Sequence, residues 1–295
     1  MKNTVFTGAA TAIATPFKGN EIDYEQFGRL IDWQIEQGIN AIVVAGTTGE
    51  GSTLTDEEHK AVIKYCVEKV AGRVPVIAGT GSNDTAYAIA LTKYACEVGA
   101  DAMLLITPYY NKATQKGMIE SFRLVADAST KPCILYNVPS RTGCNLLPES
   151  VAELSKHPNI VAIKEACGNI SQIAKVAALC GDDMDIYSGN DDQIVPILSL
   201  GGKGVISVLS NIAPTDTVLM CKKFFDGDIK GAASMQLDYL ELIDALFCEV
   251  NPIPVKAAVS AMGFGENSLR LPLTPMESAH EAILLALMRR HGIIQ

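Results

Sequence analysis

Eight short runs of apolar and β-branched residues recur along the 295-residue chain, and they constrain the fold more than any other feature. Several runs are continuous rather than alternating, which is typical of parallel strands that are covered on both faces. The longer segments between them have the signals of helices. The eight runs occupy residues 8–17, 41–46, 74–80, 101–110, 133–138, 160–166, 184–189 and 204–208.

Helix start and stop signals lie between the runs. Thr55 stands at an N-cap position, Glu58 follows as in a capping box, and Gly72 marks the exit; Asn83 or Asp84 begins the next helix. Strands spaced by about 20 to 35 residues, each followed by a helix, predict an α/β protein with a (β/α)8 TIM barrel. A doubly wound open sheet is the alternative, and it is disfavoured because no Gly-rich dinucleotide loop follows the first run.

More chain follows the eighth run than one closing helix requires. We predict that residues 1–225 form the barrel and that residues 226–295 form a C-terminal helical extension. The helical segments of the extension read "IKGAASMQLDYLELIDALFC", "PIPVKAAVSAMG" and "TPMESAHEAILLALMRRHG".

Composition excludes several classes of protein. Apolar residues make up 48% of the chain and charged residues 19%, so a large core is expected and a disordered chain is not. The net charge of −9 and the lack of a Lys/Arg cluster disfavour a nucleic-acid partner. No apolar run approaches the roughly 20 residues of a membrane span, so we expect a soluble protein.

Two further patterns bear on location. The N-terminal stretch resembles a signal peptide, but threonines and Pro16 interrupt it, and we interpret it as the first strand. The eight cysteines include no C-x-x-C pair and no histidine at zinc-ligand spacing. Reduced, mostly buried cysteines in a cytoplasmic protein are therefore expected.

Lys164 interrupts an apolar strand in "NIVAIKEACGN". Alternation places Val161 and Ile163 on one face, Ala162 and Lys164 on the other, and Glu165 away from the lysine. A lysine that faces the barrel interior is desolvated, which lowers its pKa and makes the neutral, nucleophilic amine accessible. A Schiff-base lysine is the favoured interpretation; a buried ion pair or a snorkelling side chain is the alternative.

The ends of strands two and four carry further candidates. Thr47 and Thr48 in "AGTTGEG" could hold a carboxylate with hydroxyls and backbone N–H groups, although a Gly-rich turn that caps the next helix would explain them equally well. Tyr109 and Tyr110 after Pro108 are, by residue type alone, more often packing than chemistry.

The end of strand five carries two more candidates in "LYNVPSRTG". The phenol of Tyr136 could relay protons. The guanidinium of Arg141 could bind a carboxylate in bidentate fashion, with a surface salt bridge as the alternative.

Metal, phosphate and cofactor chemistry have little support. Asp191 and Asp192 follow Gly189 after strand seven and would repel a phosphate. The four histidines lie in predicted helices or before a proline, not at strand ends. We therefore expect neither a metal nor an organic cofactor.

"GTTGE", "YNVPSRTG" and "IKEACGN" together resemble the pyruvate-dependent class I aldolase superfamily, and within it most closely the dihydrodipicolinate synthase family. The resemblance covers essentially the whole chain. It implies that Lys164 forms an imine with pyruvate, that Thr48 binds the pyruvate carboxylate, and that Gly189 and the backbone of Ile206 line the pocket.

The resemblance also implies a proton relay and a second substrate. Tyr136, Thr47 and Tyr110 would form the relay, with Tyr110 supplied by a neighbouring subunit. Arg141 would bind the carboxylate of L-aspartate-4-semialdehyde, in the first committed step of the diaminopimelate route to lysine. At least a dimer is then required, and a homotetramer built from two dimers is expected.

Two alternatives stay open at the level of sequence: an aldolase that cleaves a sugar acid to pyruvate, and an inactive barrel kept as a pyruvate-binding regulator. Regulation by lysine is expected to be weak. Lysine-regulated members of the family often carry His or Lys where this chain has Asp56, and Glu where it has Tyr87.

Overall fold

The eight apolar runs form a closed parallel barrel in the computed structural model, which describes residues 2–295. The strands follow one another around the barrel in chain order, and the eighth pairs with the first. The predicted (β/α)8 fold is confirmed. The strands are β1 (Gly8–Ala12), β2 (Ala41–Val44), β3 (Val76–Gly79), β4 (Ala102–Ile106), β5 (Cys133–Asn137), β6 (Ile160–Glu165), β7 (Asp185–Ser188) and β8 (Gly204–Ser207).

Helices cover the barrel and continue beyond it. They are α1 (Tyr24–Glu36), α2 (Asp56–Val70), α3 (Thr85–Glu97), α4 (Gln115–Asp127), α5 (Pro139–Thr142), α6 (Pro148–Leu154), α7 (Ile170–Cys180), α8 (Ile194–Ser199), α9 (Pro214–Phe225), α10 (Ile229–Asp238), α11 (Leu240–Leu246), α12 (Ile253–Ala261) and α13 (Ser278–Arg290). No helix in residues 2–295 has the length and apolarity needed to cross a bilayer.

Helix caps follow the local signals of the sequence. The Thr55 hydroxyl accepts a hydrogen bond from Glu58 N, and the Glu58 carboxylate accepts one from Thr55 N, which completes the capping box of α2. Asp84, one of the two predicted candidates, caps α3. The residue types at these positions therefore determine where the helices begin.

Several element boundaries differ from the prediction, and two of the differences change an element. The first run was expected to be extended to residue 17, but β1 ends at Ala12, and Phe17–Lys18 pairs instead with Glu21–Ile22 in a small hairpin. The predicted single helix after residue 229 is broken at Tyr239 into α10 and α11. Its continuous helical composition gives no local sign of this break.

Two apolar layers make up the core. One layer lies between the strands and the surrounding helices, and the other fills the barrel interior. Ile163 packs in the outer layer and Ala162 in the inner one, as alternation predicts. Val161 was expected on the same face as Ile163, but it packs in the inner layer. The reason is a shift of one residue in the register between β5 and β6 at Cys133/Ile134, which leaves Val161 without a pairing partner.

The last helices lie against the barrel and against each other. Helices α11, α12 and α13 contact one another, and α12 also contacts the short turn Leu209–Asn211 that follows β8. This contact brings the C-terminal part of the chain to the end of the barrel where the strands end. The proposed division at residue 225/226 falls between α9 and α10 and stays a prediction.

Candidate active site

Three side chains lie in adjacent register at the ends of strands β5, β6 and β7. Tyr136 pairs with Lys164, and Lys164 pairs with Tyr187. Tyr136 and Tyr187 both belong to the apolar layer inside the barrel. Parallel pairing therefore brings residues from three separate segments side by side, at the end of a TIM barrel where active sites form.

Lys164 is buried among apolar and aromatic groups. It is only 6% exposed, and its Nζ lies 4.3 Å from the centroid of the Tyr136 ring. Burial lowers the pKa of Lys164 to about 8; the charge of Asp191 opposes this shift and that of Arg141 adds to it. Within residues 2–295 the amine makes no ion pair, so the buried-ion-pair alternative is not supported.

Gly189 leaves the space that the Lys164 side chain occupies. A Cβ atom at this position would lie 2.6 Å from Cβ of Ala166 and 3.0 Å from Cε of Lys164. Its N–H donates to the carbonyl of Glu165 at 2.8 Å, which fixes the loop after β7 beside β6. Any larger residue here would push the lysine out of position.

Tyr136 interacts with the neighbouring Thr47. Burial raises the pKa of Tyr136, whereas the charge of Arg141 and a hydrogen bond with Thr47 lower it. Tyr136 is only 7% exposed. A phenol next to both an amine and a second hydroxyl can accept and return protons at the amine.

The loop after β2 is held in a strained conformation. Ala45 and Glu50 adopt left-handed backbone angles, with φ of +56° and +53°, on either side of the two threonines. Non-glycine residues take such angles at a cost, and functional sites commonly retain them. Thr48 is 2% exposed and accepts a hydrogen bond at 3.0 Å from Nδ2 of Asn251.

Glu50 fixes this loop to the C-terminal helices. Its buried carboxylate pairs with Lys256 of α12 and accepts a hydrogen bond from Arg270 N. Nζ of Lys256 and the guanidinium of Arg270 both lie over the ring of Phe17, at 4.0 and 4.6 Å from its centroid. The simple Gly-rich turn considered from the sequence does not describe this loop.

Arg141 stands at the mouth of the site in α5. It is exposed, and no carboxylate in residues 2–295 forms an ion pair with it, so the surface salt-bridge alternative is not supported. Its charge acts on both Tyr136 and Lys164. A free guanidinium near these groups can receive an anionic ligand.

Ile206 and Asp191 form the side of the site next to β8. Ile206 is fully buried and pairs with Ala10 of β1. Oδ2 of Asp191 accepts hydrogen bonds from the N–H groups of Val208 and Leu209, at 2.9 and 3.0 Å. Asp191, expected from the sequence only to repel phosphate, is a buried acid that holds the turn after β8.

Tyr110 has no place in the site of its own chain. Its side chain is 89% exposed and its φ is +72°, whereas Tyr109 is 36% exposed. Tyr110 therefore does not pack within its own chain. An aromatic ring held out from the surface is available to a second molecule.

A polar network joins the ends of strands β5 and β6. Glu165 is fully buried; its carboxylate accepts hydrogen bonds from Asn137 Nδ2, at 3.0 and 3.3 Å, and from Cys167 N at 3.1 Å. Burial raises the pKa of Glu165 to about 7. Because Asn137 and Glu165 directly follow Tyr136 and Lys164, the network holds the two candidate catalytic residues in register.

The assembled groups suit carbonyl chemistry. A buried amine of lowered pKa can add to a ketone, the phenol and the Thr47 hydroxyl can move protons, and Thr48 and Arg141 can bind carboxylates. All of these groups are nitrogen and oxygen atoms of the protein's own side chains. The geometry thus fits an imine-forming enzyme that acts on a small oxo acid.

Several proteins that are similar to this chain in sequence and in fold carry the name of one activity. The family model "Dihydrodipicolinate synthetase family" matches residues 5–290. Proteins named 4-hydroxy-tetrahydrodipicolinate synthase are similar to the chain: that of Acetivibrio thermocellus is 54% identical and covers 100% of both chains, and that of Lachnoclostridium phytofermentans is 58% identical and covers 98% of this chain and 99% of its own.

Solved structures agree with these relatives. The dihydrodipicolinate synthase of Thermotoga maritima superposes with a TM-score of 0.97 at 41% identity, over 99% of this chain and 100% of its own. That of Acinetobacter baumannii, solved in complex with pyruvate, superposes with a TM-score of 0.96 at 42% identity, over 99% and 100%. The chain belongs to the dihydrodipicolinate synthetase family.

Proposed function

We propose that the protein condenses pyruvate with L-aspartate-4-semialdehyde to give 4-hydroxy-tetrahydrodipicolinate, through an imine on Lys164. The full-length relatives carry the name of this activity. The observation that supports the role of Lys164 best is a buried amine of lowered pKa, without an ion-pair partner in residues 2–295, beside the ring of Tyr136.

The reaction begins at the amine. Neutral Lys164 adds to the keto carbon of pyruvate, and water leaves to give the imine. The imine withdraws electrons, so a methyl proton of the bound pyruvate can leave and an enamine forms. Tyr136, hydrogen-bonded with Thr47, is the proposed carrier of the protons.

Condensation and release follow. The enamine carbon attacks the aldehyde carbon of the second substrate, whose carboxylate we assign to the free guanidinium of Arg141. The amino group of that substrate then attacks the former keto carbon and displaces Lys164, which closes the ring and restores the enzyme. Thr48, Gly189 and Ile206 are proposed to hold the pyruvate part throughout.

We further propose a homotetramer composed of two dimers, in a cytoplasmic protein. The exposed ring of Tyr110 supports a dimer in which this residue completes the site of the partner subunit. All eight cysteines are free, as a reducing compartment favours.

Trapping with borohydride tests the proposed function. Purified protein treated with pyruvate and borohydride should gain one reduced pyruvate, which peptide mass spectrometry should locate on Lys164. Lys256 is an internal control, because burial lowers its pKa to about 8 as well but Glu50 pairs with it. Formation of 4-hydroxy-tetrahydrodipicolinate after addition of L-aspartate-4-semialdehyde tests the condensation step. An unmodified Lys164 in the trapping experiment would refute the mechanism.

A further inference from the structure

Asn251 connects the C-terminal helices to the threonine loop of the site. It lies between α11 and α12, is 5% exposed, and its Nδ2 donates to Oγ1 of Thr48 at 3.0 Å. In the described chain, residues 2–295, Oδ1 of Asn251 has no hydrogen-bond partner. A buried amide oxygen without a partner lowers the stability of the fold. Asn251 is kept at this position despite that cost, which points to a functional role for its hydrogen bond to Thr48.

The direction of this hydrogen bond determines what Thr48 can do. A threonine hydroxyl has one proton to donate and lone pairs that accept. When an amide N–H donates to Oγ1, the proton of the hydroxyl is left for another acceptor. A carboxylate can only accept, so a Thr48 hydroxyl oriented in this way is prepared to donate to it.

Two further contacts hold the same loop from the same side. Lys256 pairs with Glu50, and Arg270 N donates to the Glu50 carboxylate, two residues after Thr48. These contacts fix the backbone of the loop, whereas Asn251 contacts the Thr48 hydroxyl, which is proposed to bind pyruvate. Lys256 and Arg270 therefore support the loop, whereas Asn251 is placed to orient one side chain of it.

We propose that Asn251 is a positioning residue that orients the Thr48 hydroxyl to donate to the carboxylate of pyruvate, so that the C-terminal helices contribute to substrate recognition. The proposal rests on the proposed function. It adds a residue that contacts no reacting atom and acts only through Thr48.

A double-mutant cycle tests this role. Asn251→Ala should raise the KM for pyruvate about tenfold, because the hydroxyl loses its fixed direction, and should leave the KM for L-aspartate-4-semialdehyde and kcat nearly unchanged. In a Thr48→Val background the same substitution should have no further effect on the KM for pyruvate, since no hydroxyl is left to orient.

Asn251→Asp gives a second measurement with the same side-chain shape. The carboxylate accepts the hydrogen bond that the Thr48 hydroxyl would otherwise donate to the substrate, and it adds a negative charge beside the substrate, so pyruvate should bind more weakly than in Asn251→Ala. Wild-type affinity in this variant would overturn the proposal, because it would mean that Thr48 donates to Asn251.

Other results also separate the explanations. An equal rise of both KM values, or a full effect of Asn251→Ala in the Thr48→Val background, would mean a general structural role and overturn the proposal. Thermal unfolding of each variant identifies those that fail to fold. If wild-type protein forms no imine with pyruvate, the proposed function itself has failed, and that outcome is visible before any variant is compared.

Discussion

At the scale of single residues, the chemistry of Lys164 depends on what surrounds it rather than on its residue type. An exposed lysine is almost fully protonated near neutral pH, and only about one in a thousand or fewer amines is free. Burial beside Tyr136 lowers the pKa to about 8, which raises the fraction of free amine to about a tenth at pH 7.

The rate of imine formation should therefore depend on pH. Below about pH 8 the second-order rate constant for pyruvate should rise about tenfold per pH unit, because the neutral amine is the nucleophile, and above it the rate should level off. Trapping rates measured with pyruvate alone from pH 6 to 10 test this.

Arg141→Gln is the matched variant for this pH profile. The positive charge of Arg141 contributes to the low pKa of Lys164, so its removal should move the inflection to higher pH. Two results would contradict this account of the amine: an inflection of the wild-type profile near the ordinary pKa of lysine, or an Arg141→Gln profile with the same inflection as the wild-type protein.

Gly189 provides a steric test of the same site. Gly189→Ala should slow imine formation by about tenfold or more, because the new methyl group overlaps Cβ of Ala166 and crowds Cε of Lys164. Gly117→Ala in α4 is the control, since its methyl group would meet nothing closer than 3.5 Å. Equal trapping rates in the two variants would show that Gly189 does not set the position of the lysine.

At the scale of elements, the strained loop after β2 is stabilised by contacts with distant segments. Its flanking residues Ala45 and Glu50 have left-handed backbone angles, and the carboxylate of Glu50 is bound by Lys256 of α12. A buried carboxylate without its partner is strongly unfavourable, so the pair fixes the loop even if its net contribution to stability is small.

Removal of one partner should expose this dependence. Lys256→Met should lower the free energy of unfolding by about 3–5 kcal/mol, because Glu50 is left buried and unpaired. Lys64→Met, at the exposed pair Lys64–Glu68 of α2, should change it by less than about 1 kcal/mol. Urea unfolding of both variants measures the difference.

A compensating variant completes this comparison. Glu50→Gln combined with Lys256→Met removes the unpaired charge and should recover part of the lost stability. A Lys256→Met protein as stable as the Lys64→Met control would show that the buried pair does not hold the loop.

Helices α2 and α3 carry Asp56 and Tyr87, the two positions on which the prediction of weak feedback by lysine depends. Asp56 is paired with Lys60, with 2.6 Å between Oδ2 and Nζ, and Tyr87 supplies no carboxylate for a ligand ammonium. Low millimolar lysine should therefore leave the steady-state rate nearly unchanged, and Tyr87→Glu should increase sensitivity to lysine. Strong inhibition of the wild-type protein in this assay would refute the prediction.

For the molecule as a whole, a single subunit does not contain the complete proposed relay. Tyr136 lies inside the barrel beside Thr47 of the loop after β2, but Tyr110 is held out from the surface at 89% exposure. If the proposed dimer forms, each subunit completes the other's site, and activity becomes a property of the assembly.

Mixing of inactive variants tests this arrangement. Lys164→Ala and Tyr110→Ala should each have little activity alone. When the two are unfolded and refolded together in equal amounts, about a quarter of the sites should combine an intact Lys164 with an intact Tyr110 of the partner subunit. If Tyr110 acts within its own chain, no mixed site contains both residues and activity should stay at the level of the separate variants.

Much of the fold was determined by local sequence pattern. The eight apolar runs predicted eight strands, and Thr55 and Asp84 marked helix starts, because strand burial and helix capping depend on neighbours in sequence. Local signals did not predict the break at Tyr239, since the residues on both sides favour a helix. Position at strand ends likewise indicated the candidate residues of the site.

Local pattern alone predicts that Lys164 lies near the end of an apolar strand and that Tyr136 has the same position on the strand before it. The folded chain adds contacts that this pattern does not predict: Asn251 donates to Thr48, Asp191 supports the turn after β8, and Lys256 pairs with Glu50. Two of these contacts join residues more than 200 positions apart. No local periodicity encodes such contacts, because they form only when closure of the barrel and packing of the last helices bring the segments together.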